Sequence, residues 1–358
     1  MTERRSVLAS TRPFVSALAL AAAGGTVAAW IGLPLAWMIG AMLATGAAAV
    51  SGAAVSIPLK LRSAMIMVLG IMLGGSFTPE ILDQAARWSV TLAGLAAYVV
   101  VAGAAGTLVL RRFARLDPAT AYFTAMPGGL TEMVIAGGAM GGDDRTIALA
   151  HSTRVMLVVL AIPFWFAFVE GYQPGGGGAA GQAATAMSLR DMALVAAAAA
   201  GMPIAAVLRL PVPALLGPLF LSAAIHIAGL TEGQPPGLLV AAAQVVVGAA
   251  IGCRFAGVPA IRIAKVAGLA LGLTALMLAL DVAAALVLHR MTGIGMPALV
   301  LAYSPGGFAE MSLVALALDI DTAFVATHQI ARIVMVVMLA PLAFRLLRRR
   351  RPGGVPAD

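Results

Sequence analysis

The sequence predicts an all-α, polytopic membrane protein with two inverted repeats, each containing about five spans and one re-entrant helix broken at Pro-Gly-Gly. Three observations lead to this prediction. Hydrophobic residues make up 61% of the chain and charged residues only 11%, and the mean hydropathy of +0.99 lies outside the range of soluble domains. Apolar segments long enough to cross a bilayer recur through the chain. The second half of the chain also repeats the first.

Ten apolar segments are predicted to be spans, five in each half. They are 14–31, 35–52, 63–78, 90–110 and 146–168, followed by 191–208, 213–230, 238–253, 266–289 and 322–344. One interrupted segment precedes the last span of each half, at 119–142 and 297–319. Arginines precede the first segment, as they do in a signal peptide. A counterpart of this segment in the second half favours a retained span over a cleaved signal.

The two halves overlay at a shift of 178 residues. Between 123–163 and 301–341 there are twelve identities in 41 positions without a gap. They include Pro127/Pro305, Gly128/Gly306, Gly129/Gly307, Glu132/Glu310, Asp143/Asp321 and Arg154/Arg332. The predicted organisation is a first membrane repeat at 1–169, a flexible Gly-rich linker at 170–189, a second membrane repeat at 190–347 and a basic cytoplasmic tail at 348–358.

The distribution of Lys and Arg favours opposite orientations for the two halves. If each interrupted segment is re-entrant and the N-terminus is inside, 18 of the 23 basic residues are cytoplasmic and three are outside. If the segments cross fully, the split falls to 15 against six. Because cytoplasmic loops carry the excess of positive charge, we expect inverted repeats with both termini in the cytoplasm.

Each interrupted segment contains Pro-Gly-Gly followed by a glutamate, in AMPGGLTEM at 125–133 and YSPGGFAEM at 303–311. Proline removes a backbone donor and glycine lowers the cost of unusual dihedrals, so the motif ends one half-helix and lets another begin. A membrane tolerates such a break only where the exposed backbone faces protein or water. The second half-helix begins with unpaired N–H groups and a positive dipole end, which favour an anion.

Glu132 and Glu310 fall in the first turn of these second half-helices. One interpretation is that each glutamate only caps its helix, as in a capping box. The functional interpretation is that the glutamates bind a proton or coupling ion. The recurrence of the unit in both halves favours function, since a charged residue at mid-membrane costs about 2.5–3.5 kcal/mol.

Arg154 and Arg332 lie 22 residues after these glutamates, within the last span of each half. They form either an ion pair with the glutamate of the same half or a site for a substrate carboxylate or phosphate. The predicted substrate- and ion-binding residues are Pro127, Gly128, Gly129, Glu132 and Arg154, with Pro305, Gly306, Gly307, Glu310 and Arg332.

The remaining polar residues are less informative. His151 and His328 lie near the start of matching spans, one position out of register, and either line a cavity or pack between helices. Asp281 has Gly103 at the equivalent position, so it is either an asymmetric ion site or a locally hydrogen-bonded residue. The histidines and the single cysteine show no metal-ligand spacing. No metal, cofactor or catalytic residue is therefore predicted.

The duplicated Pro-Gly-Gly-x-x-Glu-Met unit, followed by a span with an arginine, resembles the AbrB family of bacterial inner-membrane proteins. The resemblance covers nearly the whole chain. It implies an integral inner-membrane protein with about ten spans, and it is distinct from the small soluble DNA-binding AbrB regulators. Members are labelled as regulators of gene expression or as ammonia monooxygenases. The residues do not supply the convergent ligands that copper or iron oxygen chemistry needs.

Inverted repeats, paired broken helices and intramembrane charges predict a secondary transporter for a small anionic metabolite. Neither an enzymatic reaction nor nucleic-acid binding is expected, because the basic residues lie where they orient a membrane protein. The expected partners are the lipid bilayer and a small-molecule or ion substrate. The alternative is a membrane sensor or scaffold that regulates gene expression indirectly through a partner.

Overall fold

A computed structural model of the protein describes residues 2–79, 81, 88–168 and 188–349. Its helices are numbered α1–α15 in chain order. They are α1 Thr2–Trp30, α2 Ala36–Val50, α3 Leu59–Gly74, α4 Ser89–Phe113, α5 Pro118–Ala125, α6 Leu130–Ala139, α7 Asp144–Phe168, α8 Leu189–Ala197, α9 Gly201–Val207, α10 Pro213–Ile227, α11 Gly237–Gly252, α12 Ala260–Thr292, α13 Met296–Tyr303, α14 Phe308–Ala317 and α15 Thr322–Arg349. Short 3₁₀ turns at Ala198–Ala200 and Cys253–Phe255 follow α8 and α11.

The chain is an all-α, multi-pass membrane protein. Within the described ranges, seven helical stretches are long and apolar enough to cross a membrane. They are Arg12–Trp30, Ser89–Phe113, Asp144–Phe166, Leu189–Val207, Gly237–Phe255, Ala260–Thr292 and Thr322–Arg348.

All ten predicted spans are helical, but α2, α3 and α10 are too short to cross a bilayer and, unlike α8 and α11, are not extended by a 3₁₀ turn within the described residues. Helices α2, α3 and α10 contain 15, 16 and 15 residues, whereas crossing a bilayer takes about 20. Helices α2 and α10 follow residues in the left-handed conformation, Leu35 with φ 49° and Val212 with φ 46°. They are followed by Gly52 and Gly229, which have φ of 89° and 65°. Turn geometry at both ends therefore limits these helices.

The helix order recurs in the second half at the shift found in the sequence. The bounds of α3, α5 and α6 coincide, 178 residues later, with those of α11, α13 and α14. The interrupted segments form the pairs α5–α6 and α13–α14, as predicted. The orientation of each half in the membrane, and hence its inversion, stays a prediction.

Helices from the two halves cross at glycines. Gly70 of α3 lies against the carbonyl of Leu215 in α10, and Gly248 of α11 lies against the carbonyl of Met38 in α2. A Cβ atom at either glycine would collide with that backbone. The two halves are therefore interlocked, with α3 packed on α10 and α2 packed on α11.

Buried residues flank both breaks, although α6 also has exposed side chains such as Ile135. Tyr303 and Phe308, on either side of the second break, belong to the largest hydrophobic core. Phe123, before the first break, packs with Val336 and Phe344 of α15. This packing around the breaks meets the requirement that freed backbone groups in a membrane face protein or water.

The predicted linker lies outside the described residues up to position 187. At its end, Ser188 caps α8 by accepting a hydrogen bond from the N–H of Asp191 at 3.1 Å. Positions 350–358 of the predicted basic tail also lie outside the described residues.

Candidate functional site

Each broken segment consists of two short helices joined by the Pro-Gly-Gly turn. Helix α5 is followed by α6 after Pro127, and α13 is followed by α14 after Pro305. The last carbonyls of a helix and its first N–H groups have no intrahelical partners. Each break therefore presents a partly negative carbonyl end next to a partly positive N–H end.

Arg332 satisfies the carbonyl end of the second break. Its Nη1 donates to the carbonyls of Tyr303, at 3.4 Å, and Ser304, and its Nη2 donates to the carbonyl of Gly306 at 3.0 Å. The side chain is only 2% exposed. The guanidinium thus supplies donors and positive charge where α13 ends, and this accounts for a buried arginine that forms no ion pair with any described residue.

Arg154 has the same role at the first break. Its Nη1 donates to the carbonyls of Met126 at 3.2 Å and Thr124 at 3.5 Å. Its Nη2 lies 3.0 Å from Nδ1 of His151. Because a guanidinium can only donate, Nδ1 accepts and the ring proton lies on Nε2, which donates to the carbonyl of Phe123 at 2.9 Å. Two side chains one turn apart on α7 therefore hold the carbonyl end of α5.

The structural counterpart of His151 is Gln329, and His328, which is one position out of register in the sequence, has different contacts. Nε2 of Gln329 donates to the carbonyl of Leu301 at 2.8 Å. Leu301 is equivalent to Phe123, and Gln329 to His151, at the shift of 178. His328 lies instead among aromatic rings. The side-chain amide and the imidazole supply the same donor at the two breaks.

The predicted ion pairs between each arginine and the glutamate of its own half are also wrong. Backbone carbonyls engage both arginines. Within the described part of the chain, neither Glu132 nor Glu310 forms an ion pair or accepts a hydrogen bond. The physical reason is that each arginine reaches the carbonyl end of its break, which is already partly negative, whereas each glutamate lies at the N–H end.

Each glutamate folds back over the turn that precedes its helix. Oε2 of Glu132 lies where a Cβ atom of Gly129 would be, and Glu310 has the same relation to Gly307. Both glycines have ordinary extended backbone, with φ of −65° and −74°. Glycine at these positions gives each carboxylate room to fold back, and the unusual dihedrals that the sequence suggested are not found there.

Both breaks border one cavity of about 150 Å³. Seven of the ten predicted site residues line it, namely Gly128, Gly129, Glu132, Gly306, Gly307, Glu310 and Arg332. The other three, Pro127, Pro305 and Arg154, are not part of its lining. The N–H ends of α6 and α14 therefore face a common space, together with both carboxylates.

Two further arginines line this cavity that sequence reasoning assigned only to cytoplasmic loops. They are Arg62 at the start of α3 and Arg254 after α11. With Arg332 they bring three positive charges against the two glutamates, a formal excess of one. The sequence does distinguish Arg254 from an ordinary loop arginine. Between a glycine and a phenylalanine that are identical in the two halves, the second half has Arg254 where the first half has Ser76.

A larger cavity of about 510 Å³ shares Leu130 and Arg254 with the first. We call it the vestibule. Its lining also contains Arg145 and Arg262, and Arg262 forms an ion pair with Asp143 at 2.9 Å. Burial raises the pKa of Asp143, but hydrogen bonds from neighbouring donors and the charge of Arg262 outweigh it and lower that pKa below its usual value. The vestibule is thus rich in arginine.

In the described ranges, no three His, Cys, Asp or Glu side chains group closely enough to hold a metal ion. The chemistry available at the site is therefore that of hydrogen-bond donors, carboxylates and guanidinium groups. Such a set can hold an anion and exchange protons.

Comparison with known proteins places this architecture in a family. The model of the family described as "Transition state regulatory protein AbrB" matches residues 37–348. The chain belongs to the AbrB family. The protein YhjN of Bacillus subtilis (strain 168) is 30% identical over 358 residues, which cover 92% of this chain and 92% of YhjN. A protein of Escherichia coli (strain K12), named as a regulator AbrB, is 25% identical over 321 residues, which cover 89% of this chain and 92% of that protein.

The region matched to the AbrB family contains both breaks and every residue that lines the cavity. The site described above therefore lies in the part of the chain that defines this AbrB protein as a family member.

Proposed function

We propose that this AbrB-family protein is a secondary transporter of the bacterial inner membrane that moves a small anionic metabolite. The observation that carries the proposal is the cavity that both broken helices border, since transporters bind substrates where half-helix N-termini converge inside the membrane. Three arginines against two glutamates favour an anion over a cation. The substrate undergoes no chemical change in this proposal, and nucleic acid has no part in it.

In this proposal, Glu132 and Glu310 bind the coupling proton or cation. Their half-buried carboxylates line the cavity, and among the described residues neither forms an ion pair or a hydrogen bond, although Glu310 interacts electrostatically with Arg254. Arg332 contacts the anion because it also lines the cavity. Arg154 holds the first break from outside the lining and acts on the substrate only through that break.

The vestibule is the proposed entrance from the cytoplasm. Its residues Arg145, Arg254 and Arg262 belong to the basic residues that the charge distribution assigns to the inside, along with both termini. A positively charged approach raises the local concentration of an anionic substrate.

The proposal is tested first by thermal stability of the detergent-purified protein across pH. The probes are acetate, succinate, citrate and inorganic phosphate. We expect one of these anions to stabilise the wild type in a pH-dependent manner, and to have no effect on the double variant Glu132→Gln, Glu310→Gln. Glu232→Gln is the matched control, because Glu232 is an exposed carboxylate in the loop before α11, and we expect it to respond as the wild type does.

Two results would count against this role of the glutamates. If no probe stabilises the wild type and the double variant simply melts earlier, the glutamates are helix caps. If a probe stabilises the double variant as much as the wild type, the anion binds elsewhere.

The rival function is a membrane sensor or scaffold that regulates gene expression through a partner, and it is favoured by the name of the Escherichia coli relative. Flux separates the two functions. Liposomes that contain only this protein should take up the stabilising anion if it is a transporter. A scaffold would give no uptake above protein-free liposomes.

A further inference from the structure

Asp281 is a fully buried carboxylate that the proposed site does not use. It lies well inside α12, its side chain is 0% exposed, and neither carboxylate oxygen has a hydrogen-bond partner among the described residues. It lines neither the cavity nor the vestibule. The structure therefore does not support the sequence alternative of a locally hydrogen-bonded residue.

The groups around Asp281 come from every helix that packs on this part of α12. Tyr98 of α4 donates its hydroxyl to the carbonyl of Met277 at 3.3 Å, and Met277 lies one turn before Asp281 on the same face. Nη1 of Arg154, from α7, approaches the sulfur of Met277 at 4.0 Å. Tyr303 of α13 has its ring 5.6 Å from that of Tyr98.

Arg332 of α15 is the positive group that interacts electrostatically with Asp281. Its Nη atoms are committed to the carbonyls of the second break, while its Nε has no partner among the described residues. An ionised carboxylate buried without hydrogen bonds is strongly disfavoured, and such a group takes up a proton instead. The described arrangement therefore matches a neutral Asp281 with Arg332 held by the break.

The two halves differ at this point. The counterpart of Asp281 is Gly103, and the space of a Cβ atom there is filled by the side chain of Met126. Met126 also supplies a carbonyl to Arg154. Helix packing at this position is thus achieved without an acid in the first half. Of these two equivalent positions, the one in the second half carries a carboxylate, Asp281, and this carboxylate interacts with the arginine at the break of its own half, Arg332.

We propose that Asp281 is a proton-binding site, separate from the two glutamates, that controls whether Arg332 stays hydrogen-bonded to the carbonyls of the second break. With the proton bound, Asp281 is neutral and Arg332 holds the carbonyls of Ser304 and Gly306. When Asp281 gives up this proton to water, the carboxylate attracts the Arg332 guanidinium away from those carbonyls. Because Arg332 lines the cavity, proton release changes the cavity wall. The coupling to transport rests on the proposed function, whereas the proton binding does not.

The protonation state is tested by infrared spectroscopy of the full-length, detergent-purified protein, without added ligand. We expect the C=O stretch of a protonated carboxylic acid at neutral pH in the wild type. The band should be lost in Asp281→Asn and kept in the double variant Glu132→Gln, Glu310→Gln. Asp281→Asn should melt at neutral pH within a few degrees of the wild type, because asparagine reproduces the neutral side chain.

Three results would overturn the proposal. They are an acid band that survives in Asp281→Asn, the absence of any such band in the wild type, and a band that sodium at fixed pH abolishes, which would assign a cation site. If Asp281 is instead an ionised partner of Arg332, Asp281→Asn should melt well below the wild type and the wild type should show no band.

Coupling is tested by uptake of succinate and of inorganic phosphate into liposomes under an imposed pH gradient. If proton release from Asp281 contributes to coupling beside the two glutamates, the gradient should accelerate uptake by the wild type at least severalfold and should accelerate uptake by Asp281→Asn markedly less. If wild-type liposomes take up neither anion, the proposed transport of these anions fails, while the infrared result still decides whether Asp281 binds a proton. Equal acceleration in both proteins would refute the coupling role.

Discussion

The assignment of Arg332 to backbone carbonyls, and not to Glu310, predicts very unequal costs for removing the two charges. The variants are Arg332→Met, Glu310→Gln and the double variant. Methionine keeps much of the buried volume and removes the charge and all the donors. Glutamine keeps the size of the glutamate and removes only its charge.

The magnitudes follow from the contacts. Arg332→Met removes the donor to the carbonyl of Gly306 and the stronger of two donors to the carbonyl of Ser304, which keeps Nε2 of Gln329 at 3.3 Å. The contact with Tyr303 at 3.4 Å is a weaker third loss. At ~1–1.7 kcal/mol for each strong hydrogen bond in a membrane interior, the free energy of unfolding should fall by about 2–4 kcal/mol. Glu310→Gln removes only an interaction with the positive end of α14, which is worth about 0.3–1 kcal/mol.

Equilibrium unfolding in mixed detergent micelles measures all three variants under one set of conditions. If the residues act independently, the double variant should show the sum of the single effects to within about 0.5 kcal/mol. A coupling energy above about 1 kcal/mol, or single variants of equal cost, would refute the carbonyl assignment and restore the ion pair.

Two further predictions concern helix crossing and the vestibule. Gly217→Ala should lower the free energy of unfolding by about 1–3 kcal/mol, because its Cβ would meet the backbone of Gly201. Gly268→Ala, which meets nothing within 4 Å, should instead raise it by about 0.5–1 kcal/mol in the same assay. Burial raises the pKa of Asp143, but hydrogen bonds and Arg262 outweigh it and lower that pKa. Asp143 therefore stabilises the fold at pH values above its pKa in the unfolded chain, and this stabilisation is lost as pH falls through its lower pKa in the folded protein. With side chains 36% and 47% exposed, Asp143→Asn should cost under about 1 kcal/mol at neutral pH, and acid titration should show a flatter stability curve than the wild type. Large costs for Gly268→Ala, or unchanged acid sensitivity for Asp143→Asn, would contradict these accounts.

Local chemistry in the sequence was enough to predict the breaks but not the partners of the buried arginines. Proline cannot continue a helix, so Pro127 and Pro305 indicated where α5 and α13 end. The spacing to the glutamates then placed them in the first turn of the next helix. Which group an arginine on α7 or α15 reaches depends on the tertiary position of those helices, and a separation of 22 residues carries no such information.

Residue type alone was a poor guide to the roles of the histidines and of two arginines. His151 and His328 were considered together because both are histidines, although they are one position out of register and the shift of 178 aligns His151 with Gln329. Arg62 and Arg254 were counted only as topogenic charges, since hydropathy cannot distinguish an arginine in a loop from one that turns into a cavity. For these arginines the missing information was tertiary packing, which brings α3 against α14 and α15 and places Arg62 and Arg254 in the cavity wall.

The two ends of each break divide two tasks, and this division explains why the charges occur in the order they do. A broken helix in a membrane must satisfy its last carbonyls, and Arg154 and Arg332 do so with donors that cannot be deprotonated at ordinary pH. The N–H ends are left facing the cavity, with Glu132 and Glu310 folded over them. An incoming anion can compete with these carboxylates for the same N–H donors. A proton bound to either carboxylate would weaken the interaction of that carboxylate with the donors. The arginines therefore serve the carbonyl ends of the breaks, while the glutamates are the part of the site that an anion and a proton in the cavity reach directly.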